Sequence, residues 1–442
     1  MCVLLNEITK SGQIPTIWKQ GFITPLKKKN GKPGFEGVRP ITLTPIFSKL
    51  YEGFLADLLK EKILPLTDLK QFGNLKSTST SHYLVSLIDH IGKILEKPNS
   101  WLNLISIDLQ KAFDLVNHNI LIEKLESEFN IDPLLVKLVA SFLTNRSQVV
   151  KYQNHYSNPL PIYNGIPQGT LLGPLLFSVM VNSLAKEVPD RWKFVDDLTI
   201  VESCFRNLLS DPMSILNEIG SEALDLDMTV NPSKSMIMPI CFLKSSPCFL
   251  NPIPPEIYAS SVKLLGVTIS SNLKWDIHVK DIIHKANASI ALLKLLNKYS
   301  VPPSHSLRLY TSFVRPHLEY ACPVWHPGIS REESDKIESI QKRALRIIFK
   351  EGKVPYSLLL KKASLETLER RRSSLCLRFS KNAITNPRTA SIFPKRHSPS
   401  RLRQPRAVSE PIPVLSPIRC VTFRYKKTFV PFITEKINKI AN

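Results

Sequence analysis

The chain has 442 residues, of which 43% are apolar and 22% are charged, a composition typical of folded domains and not of a disordered chain. Its 59 Lys and Arg residues outnumber 37 Asp and Glu residues, and the formal net charge of +22 favours a polyanionic partner, nucleic acid above all, over an acidic small substrate. Residues 341–442 contain 24 of the basic and 5 of the acidic residues. We therefore expect a nearly neutral body followed by a basic tail.

The seven cysteines form no C-x-x-C pair and no cluster with histidine, which argues against a zinc knuckle and against a disulfide framework. We expect a reducing, intracellular compartment. The apolar stretch at the N-terminus is too short for a signal peptide, and no window reaches 18 apolar residues. The sequence thus predicts neither export nor a membrane partner.

The first third of the chain carries strand and helix patterns. A small strand pair is expected around the basic loop 27–34, followed by a helix over 46–63, where apolar residues recur at helical spacing. The apolar run 101–109 predicts a strand that ends at an aspartate. Helical patterns then follow over 118–129 and 133–146.

The middle of the chain adds a loop and a hairpin. The run QVVKY is a strand candidate, and residues 164–184 predict a Gly-Pro loop that opens a buried helix. Residues 193–201, KFVDDLTIV, place two aspartates between apolar triads, a pattern typical of a tight hairpin. We therefore expect Asp196 and Asp197 to lie at the tip of a hairpin.

The C-terminal part is mainly helical by pattern. Residues 263–269 are strand-like, whereas residues 280–296 and 335–349 predict amphipathic helices. Residues 387–417 contain seven prolines and little apolar periodicity. We interpret that stretch as a linker or flexible arm.

Three acidic residues stand out as candidates for chemistry: Asp108 at the end of a strand, and Asp196 with Asp197 at a hairpin tip. Mg²⁺ prefers oxygen ligands and bridges carboxylates to substrate phosphates. Two such ions about 4 Å apart can activate an attacking oxygen and stabilise a leaving one. An Asp-Asp dipeptide alone is also ordinary turn chemistry, so the order and context of the three acids carry the catalytic hypothesis.

That order resembles a known family. The segments SIDLQKAFDLVNH, GIPQGTLLGPLLF and FVDD resemble the palm motifs of reverse transcriptases, and most closely those of non-LTR retrotransposons of the jockey-like and chicken-repeat-like kinds. The resemblance extends to further blocks in the same order: IWKQGFITPLKKKNGK, VRPITLTPIFSKLYE, QFGNLKSTSTSHYL, NPSKS, KLLGVTI, YTSFVRPHLEYACPVWHPG and IQKRALRII. It covers about residues 14–350.

The resemblance implies an α+β fold of the right-hand polymerase type. Fingers would occupy residues 1–100, and a palm with the catalytic motifs, an antiparallel sheet backed by helices, would occupy residues 101–270. A helical thumb-like or connection region would follow over 271–386, and a basic, flexible, Pro-rich tail over 387–442.

The resemblance also implies roles for the catalytic residues. Asp108 and Asp196 would be the main metal ligands, with Asp197 an accessory acid beside them. The backbone carbonyl of Leu109 would complete one metal shell. Lys234 is the candidate for protonating or neutralising the pyrophosphate leaving group, with an ordinary surface lysine as the alternative.

Further positions would contact the substrate. Arg39 would bind the incoming triphosphate, with Lys27 or a neighbouring lysine assisting, unless it is a solvated loop arginine. Gln168 and Gly169 would lie against the template and the nascent base pair, unless they form a plain turn before a helix. Phe113 would lie under the sugar of the incoming nucleotide and exclude a 2′-hydroxyl, unless it is a core aromatic.

The implied function is an RNA-directed DNA polymerase that uses two Mg²⁺ ions, or Mn²⁺, with an RNA template, a DNA primer and dNTPs. The alternatives are a catalytically silent nucleic-acid-binding remnant and an RNA-dependent RNA polymerase, although the latter commonly has an acid where Phe113 stands. Autonomous members of the family encode an endonuclease upstream of the polymerase, and none precedes residue 14 in this sequence. We therefore expect a truncated element, a partial gene model or a separated polymerase module, with a separate endonuclease as partner. The implied location is nuclear, with a cytoplasmic ribonucleoprotein stage.

Overall fold

A computed structural model describes residues 2–28, 34, 37–244, 246–394, 396–397 and 414–441. The chain forms two compact units, each assembled from segments that are distant in sequence. Unit 1 contains residues 1–74, 106–200 and 212–235, and unit 2 contains residues 75–105, 201–211 and 236–442.

The secondary structure is mixed. The strands are β1 (Gln20–Lys27), β2 (Val38–Leu43), β3 (Ser100–Ile107), β4 (Arg146–Tyr152), β5 (His155–Tyr156), β6 (Leu160–Ile162), β7 (Arg191–Phe194), β8 (Asp197–Phe205), β9 (Met236–Ile240), β10 (Ser261–Leu264), β11 (Val267–Ser270), β12 (Arg396–His397) and β13 (Val414–Leu415). The helices are α1 (Cys2–Ser11), α2 (Ile46–Leu66), α3 (Thr80–Leu95), α4 (His118–Ser127), α5 (Pro133–Leu143), α6 (Gly173–Met180), α7 (Pro212–Asp225), α8 (Asp276–Lys298), α9 (Pro303–Leu309), α10 (Arg315–Glu319), α11 (Cys322–Trp325), α12 (Arg331–Phe349), α13 (Tyr356–Ala363), α14 (Leu368–Thr385), α15 (Phe423–Lys426) and α16 (Phe429–Ala441). In the described ranges no helix is both long and apolar enough to cross a membrane. Within the described ranges no two cysteines are joined by a disulfide bond.

Unit 1 contains a sheet of strand order β2-β1-β4-β5, in which β6 also pairs with β4. β1 is antiparallel to β2, with Phe22 opposite Leu43, and parallel to β4 over residues 20–23. Pro25 lies beyond that parallel stretch, where β1 has a neighbour on one side only, a position in which a strand tolerates proline. The predicted strand pair followed by a helix is confirmed, since α2 begins shortly after β2.

The hairpin predicted at 193–201 is confirmed. Phe194 of β7 lies opposite Asp197 of β8, so Val195 and Asp196 form the turn. A four-stranded sheet has the order β7-β8-β3-β9. Seven of the eight β3 residues are buried, which explains why this strand is a continuous apolar run and not an alternating one.

Helices α4, α5 and α6 pack together in the core of unit 1. Leu121, Phe142 and Phe177 are fully buried there. The side chain of Asn117 caps α4 and that of Asp132 caps α5, each by accepting hydrogen bonds from backbone amides of the first turn. These local capping signals explain why the predicted helix starts agree with the structure.

Unit 2 is mainly helical, as predicted. Helices α8 and α12 pack against each other, and the predicted apolar face of α12 is buried at Ile337 and Ala344. The strand predicted at 263–269 is instead the hairpin β10–β11. Leu265 at φ +45° and Gly266 at φ +85° both take left-handed backbone angles, which reverse the chain. Leucine rarely adopts such an angle, so the residues did not indicate this turn.

The end of the described chain is folded, in contrast to the flexible tail expected over 387–442. Val430 and Ile433 of α16 are fully buried. Tyr425 of α15 donates a hydrogen bond to Asp89 of α3 at 3.1 Å. The structure therefore corrects the expectation for residues 414–441, where apolar residues at helical spacing follow the Pro-rich stretch. Residues 398–413 of the expected arm lie outside the described residues.

Candidate active site

Asp108 follows β3 directly, and backbone hydrogen bonds fix its position. Leu109 lies opposite Val230 in an isolated antiparallel bridge. The amide of residue 231 donates to the carbonyl of residue 108 at 2.7 Å, and the amide of residue 110 donates to the carbonyl of residue 229 at 2.8 Å. Neither bond uses the carbonyl of Leu109, which this antiparallel pattern directs away from Val230. The predicted metal-ligating carbonyl is thus outside the hydrogen bonds of the bridge.

The carboxylate of Asp108 accepts two hydrogen bonds from the segment that forms the bridge. Lys234 Nζ lies 2.9 Å from Asp108 Oδ2, and Asn231 Nδ2 lies 3.2 Å from the same oxygen. The structure thus brings the predicted Lys234 to Asp108. Asn231 was not predicted, and its position three residues before Lys234 in the block NPSKS was the available signal.

The other two acids lie at the β7–β8 turn. Val195 takes φ +61°, an angle at which a β-branched residue is uncommon. This angle turns the chain so that Asp196 occupies the tip of the hairpin and Asp197 begins β8. Asp196 is half-buried and Asp197 is exposed.

The three carboxylates act on one another electrostatically. Burial raises the pKa of Asp196, and the charge of Asp108 raises it further, while the charges of Lys234 and Arg39 lower it. Loss of solvent around its carboxyl group, together with the charges of Asp196 and Asp108, raises the pKa of Asp197 to about 6. Negative charge therefore accumulates at this site, and the cationic side chains only partly compensate it.

The donors at the site suit a hard divalent cation, which prefers carboxylate and carbonyl oxygens. The mutual repulsion of the acids is the electrostatic condition that a cation relieves. Within the part of the chain that the structure describes, no group of three or more His, Cys, Asp or Glu side chains is arranged to hold a metal ion. The predicted oxygen donors for a cation here are the carboxylates of Asp108, Asp196 and Asp197 and the backbone carbonyl of Leu109.

The structure separates the two predicted triphosphate contacts. Arg39 of β2 is exposed and lies opposite Leu26 of β1, whereas Lys27 lies opposite Val38. Because neighbouring residues of a strand point to opposite faces, Lys27 and Arg39 project from opposite sides of the hairpin. Arg39 lies close enough to Asp196 for its charge to lower the pKa of that carboxyl group.

Phe113 lies flat against a core aromatic. Its ring and that of Phe177 are stacked, with centroids 4.5 Å apart and an angle of 17° between the planes. Phe177 is fully buried, and Phe113 is half-buried. One face of the Phe113 ring is therefore packed against the core, while part of the side chain remains accessible.

Gln168 and Gly169 contact strand β2 and the residue after Phe113. The amide of Thr42 donates to the carbonyl of Gln168 at 2.7 Å, and Gln168 Nε2 donates to Asp114 Oδ1 at 2.9 Å. Gly169 has φ +116°, and a Cβ atom there would lie 2.7 Å from the carbonyl oxygen of Thr42. The close backbone approach that requires this glycine is thus to β2.

Comparison with known proteins identifies the family. The family model described as reverse transcriptase (RNA-dependent DNA polymerase) matches residues 26–269, more than half of the chain. The chain therefore belongs to the reverse transcriptase family. This membership implies dependence on a divalent metal in general.

Relatives from mobile elements confirm the resemblance predicted from the motifs. The chain is 29% identical over 381 residues to the probable RNA-directed DNA polymerase from transposon BS of Drosophila melanogaster, covering 79% of this chain and 40% of that protein. It is 26% identical over 372 residues to the probable RNA-directed DNA polymerase from transposon X-element of Drosophila melanogaster, covering 78% of this chain and 39% of that protein. It is 24% identical over 373 residues to the RNA-directed DNA polymerase from mobile element jockey of the same organism, covering 79% of this chain and 39% of that protein. The chain spans about two fifths of the length of these relatives.

Among solved structures, the chain is similar to apo telomerase from Candida tropicalis. The TM-score is 0.46 at 14% identity, with 88% of this chain and 67% of that chain covered.

Proposed function

We propose that this chain is an RNA-directed DNA polymerase, which joins deoxyribonucleotides to the 3′-hydroxyl of a DNA primer along an RNA template. One observation carries the proposal: Asp108 at the end of β3 lies close enough to Asp196 and Asp197 at the β7–β8 turn for its charge to raise the pKa of both. The names of the similar mobile-element proteins support the RNA template.

In the proposed reaction the primer 3′-oxygen attacks the α-phosphorus of the dNTP, and the bond from that phosphorus to the leaving pyrophosphate breaks. Two divalent cations, Mg²⁺ or alternatively Mn²⁺, held by Asp108, Asp196 and the Leu109 carbonyl, would supply activation of the attacking oxygen and neutralisation of the phosphate charge. Asn231 orients the Asp108 carboxylate, since it donates to Oδ2 from a backbone segment bonded to the same residue.

Two cationic side chains would act on the triphosphate. The fixed donor fork of Arg39 suits phosphate oxygens and lies on the hairpin face near Asp196. The Lys234 side chain is 63% exposed and held at Asp108, so it would reach a departing pyrophosphate and neutralise or protonate it. Lys27 projects from the other face of the hairpin, which favours a neighbouring lysine for the assisting role.

The wider assignments follow from the same proposal. Gln168 and Gly169 would contact the template and the nascent base pair, and Phe113 would contact the sugar. Fingers, palm, thumb-like region and basic tail would follow the predicted divisions at residues 100, 270 and 386. An endonuclease would supply the nicked primer, and the protein would act in the nucleus after a cytoplasmic ribonucleoprotein stage.

Primer extension on an RNA template tests the proposal. Asp196→Asn should abolish dNTP incorporation, because it removes a carboxylate from the proposed metal site, while RNA–DNA binding changes by no more than about twofold. Asp225→Asn is the matched control, since it removes the same charge from an exposed position at the end of α7. Extension by Asp196→Asn at the wild-type rate would refute the assignment. Binding without extension by the wild-type chain would favour the silent nucleic-acid-binding remnant.

A further inference from the structure

The segment before α3 lies alongside the catalytic hairpin. The amide of Phe72 donates to the carbonyl of Lys193 at 2.8 Å, and the amide of Lys193 donates to the carbonyl of Lys70 at 2.9 Å. Gln71 and Lys193 thereby form a parallel bridge. Residues 70–72 thus act as a short extra strand next to β7, and the side chain of Gln71 is carried towards the turn.

The carboxamide of Gln71 is bonded to that turn. Gln71 is 2% exposed, and its Oε1 accepts hydrogen bonds from the amide of Val195 at 3.1 Å and from the amide of Gly73 at 2.8 Å. A Cβ atom on Gly73 would lie 2.6 Å from both the amide nitrogen and Cγ2 of Val195. Glycine at position 73 therefore allows the two backbone segments to approach closely enough to share the Gln71 oxygen.

The base of the same strand is fixed by a buried ion cluster. Lys193 Nζ lies 3.0 Å from Asp68 Oδ2 and 2.9 Å from the carbonyl of Asn182, and the guanidinium of Arg191 also binds the Asp68 carboxylate at 2.9 Å. These contacts hold the strand itself. They do not reach the turn, where Val195 keeps a left-handed angle of +61° that a β-branched residue adopts only when its surroundings enforce it.

We propose that Gln71 is a positioning residue for the catalytic turn: its side-chain oxygen holds the Val195 amide and so sets the direction in which the next residue, Asp196, presents its carboxylate. Gln71 does not touch substrate. The inference rests on the proposed polymerase function, since it assigns Asp196 to the reaction. Without the acceptor, the Val195 peptide is free to leave the left-handed region, and the Asp196 carboxylate moves with it.

Two substitutions of similar size separate the acceptor from the bulk of the side chain. Gln71→Met keeps the length and loses the oxygen, whereas Gln71→Glu keeps an oxygen at the same place. The matched control is Gln341→Met in unit 2, because Gln341 is equally buried and its carboxamide also binds several partners, Tyr310, Tyr356 and the carbonyl of Glu366. All four proteins, including the wild type, are measured at full length.

Amide hydrogen exchange of residues 192–198 is the direct readout. In Gln71→Met the Val195 amide should exchange its hydrogen at least tenfold faster than in the wild type. In Gln71→Glu the same amide should remain protected from exchange. Binding of Mn²⁺, followed by electron paramagnetic resonance, should weaken about tenfold in Gln71→Met, in line with the effect of losing a group that orients a metal ligand. The kcat for primer extension should fall by about 100-fold with little change in the KM for dNTP, since a misplaced group affects the chemical step.

A purely structural role predicts a different result. In that case Gln71→Met and Gln341→Met would both lower the thermal midpoint and the active fraction, with Mn²⁺ affinity and turn protection unchanged per folded molecule, and this outcome would overturn the proposal. Failure of the proposed function is distinguishable, because a wild-type chain that extends no primer would still report the Gln71 contact through exchange and Mn²⁺ binding.

Discussion

Replacing Phe113 with Val tests whether this ring selects the sugar of the incoming nucleotide. The ring is half-buried and stacks on Phe177 at 4.5 Å. Such a pair contributes about 0.5–1.5 kcal/mol beyond its buried area. We therefore expect Phe113→Val to lower the free energy of unfolding by about 1–3 kcal/mol, less than the roughly 3–5 kcal/mol for truncating a fully buried phenylalanine. The protein should remain folded, which makes the effect on chemistry measurable.

The expected effect on selectivity follows from the 2′-hydroxyl of a ribonucleotide. Against the Phe113 ring this hydroxyl would be left without a hydrogen-bond partner, which costs about 1–3 kcal/mol. At 1.36 kcal/mol for each factor of ten, this corresponds to roughly 5- to 160-fold discrimination before any steric clash. Single-nucleotide extension with matched ribo- and deoxyribonucleotides gives the ratio of the two kcat/KM values. Phe113→Val should shift that ratio towards the ribonucleotide by a factor in this range.

Phe177→Val supplies the control, because it removes the same stacked pair from its fully buried side. It should lower stability at least as much while leaving the sugar selectivity at the wild-type value. If Phe113→Val loses both activities in parallel and keeps the wild-type ratio, as Phe177→Val does, the ring is a core residue and the reasoning is refuted.

Two further substitutions test the supports of the site through stability. Gly169→Ala should lower the free energy of unfolding in urea by roughly 1–3 kcal/mol, because φ +116° and the nearby β2 carbonyl both disfavour a Cβ atom. Gly220→Ala in α7, where nothing lies within 4 Å, should instead raise it by up to about 1 kcal/mol, and equal effects of the two substitutions would contradict this reasoning. Asp68→Asn should cost about 3–5 kcal/mol at pH 7, since Arg191 and Lys193 would lose the carboxylate that they share. Burial would raise the pKa of Asp68, but the Arg191 hydrogen bond and the Lys193 charge together lower it to about 2 from 3.8. The contribution of Asp68 to the stability of the fold is therefore present above about pH 4 and is lost as the pH falls towards 2. Asp68→Asn should lack this loss of stability on acidification. An identical decrease in stability between pH 4 and pH 2 in both proteins would contradict the role given to Asp68.

The local part of the candidate site could be predicted because its signals are local. An apolar run followed by an acid predicts a strand end at Asp108, and an Asp-Asp pair between apolar triads predicts a hairpin tip. Both features are present in the structure. The helix starts at 118 and 133 were predictable for the same reason, since each follows its own capping residue directly in sequence.

The supports of the site could not be predicted from pattern, because they join segments far apart in sequence. Asn231 reaches Asp108 across more than a hundred residues, and Gln71 reaches Val195 across a similar distance. A polar residue in a loop carries no sign of such a partner. The β10–β11 turn was missed for a different reason, since Leu265 adopts an angle that its residue type does not favour. Gly169 was recognised as a close-approach glycine, but the strand that it approaches is set by the tertiary fold.

The groups that hold the three acids of the candidate site differ in kind from the groups that neutralise their charge. Backbone bonds to residues 229–231 and the carboxamide of Gln71 fix the positions of Asp108 and Asp196, and Gln71 is buried and uncharged. Lys234 and Arg39, which compensate the charge, are exposed. Because exposed ion pairs contribute little to stability, replacing either cation should change the chemistry while the fold persists. Replacing a buried support changes geometry and stability together, so only a matched control such as Gln341→Met separates the two effects.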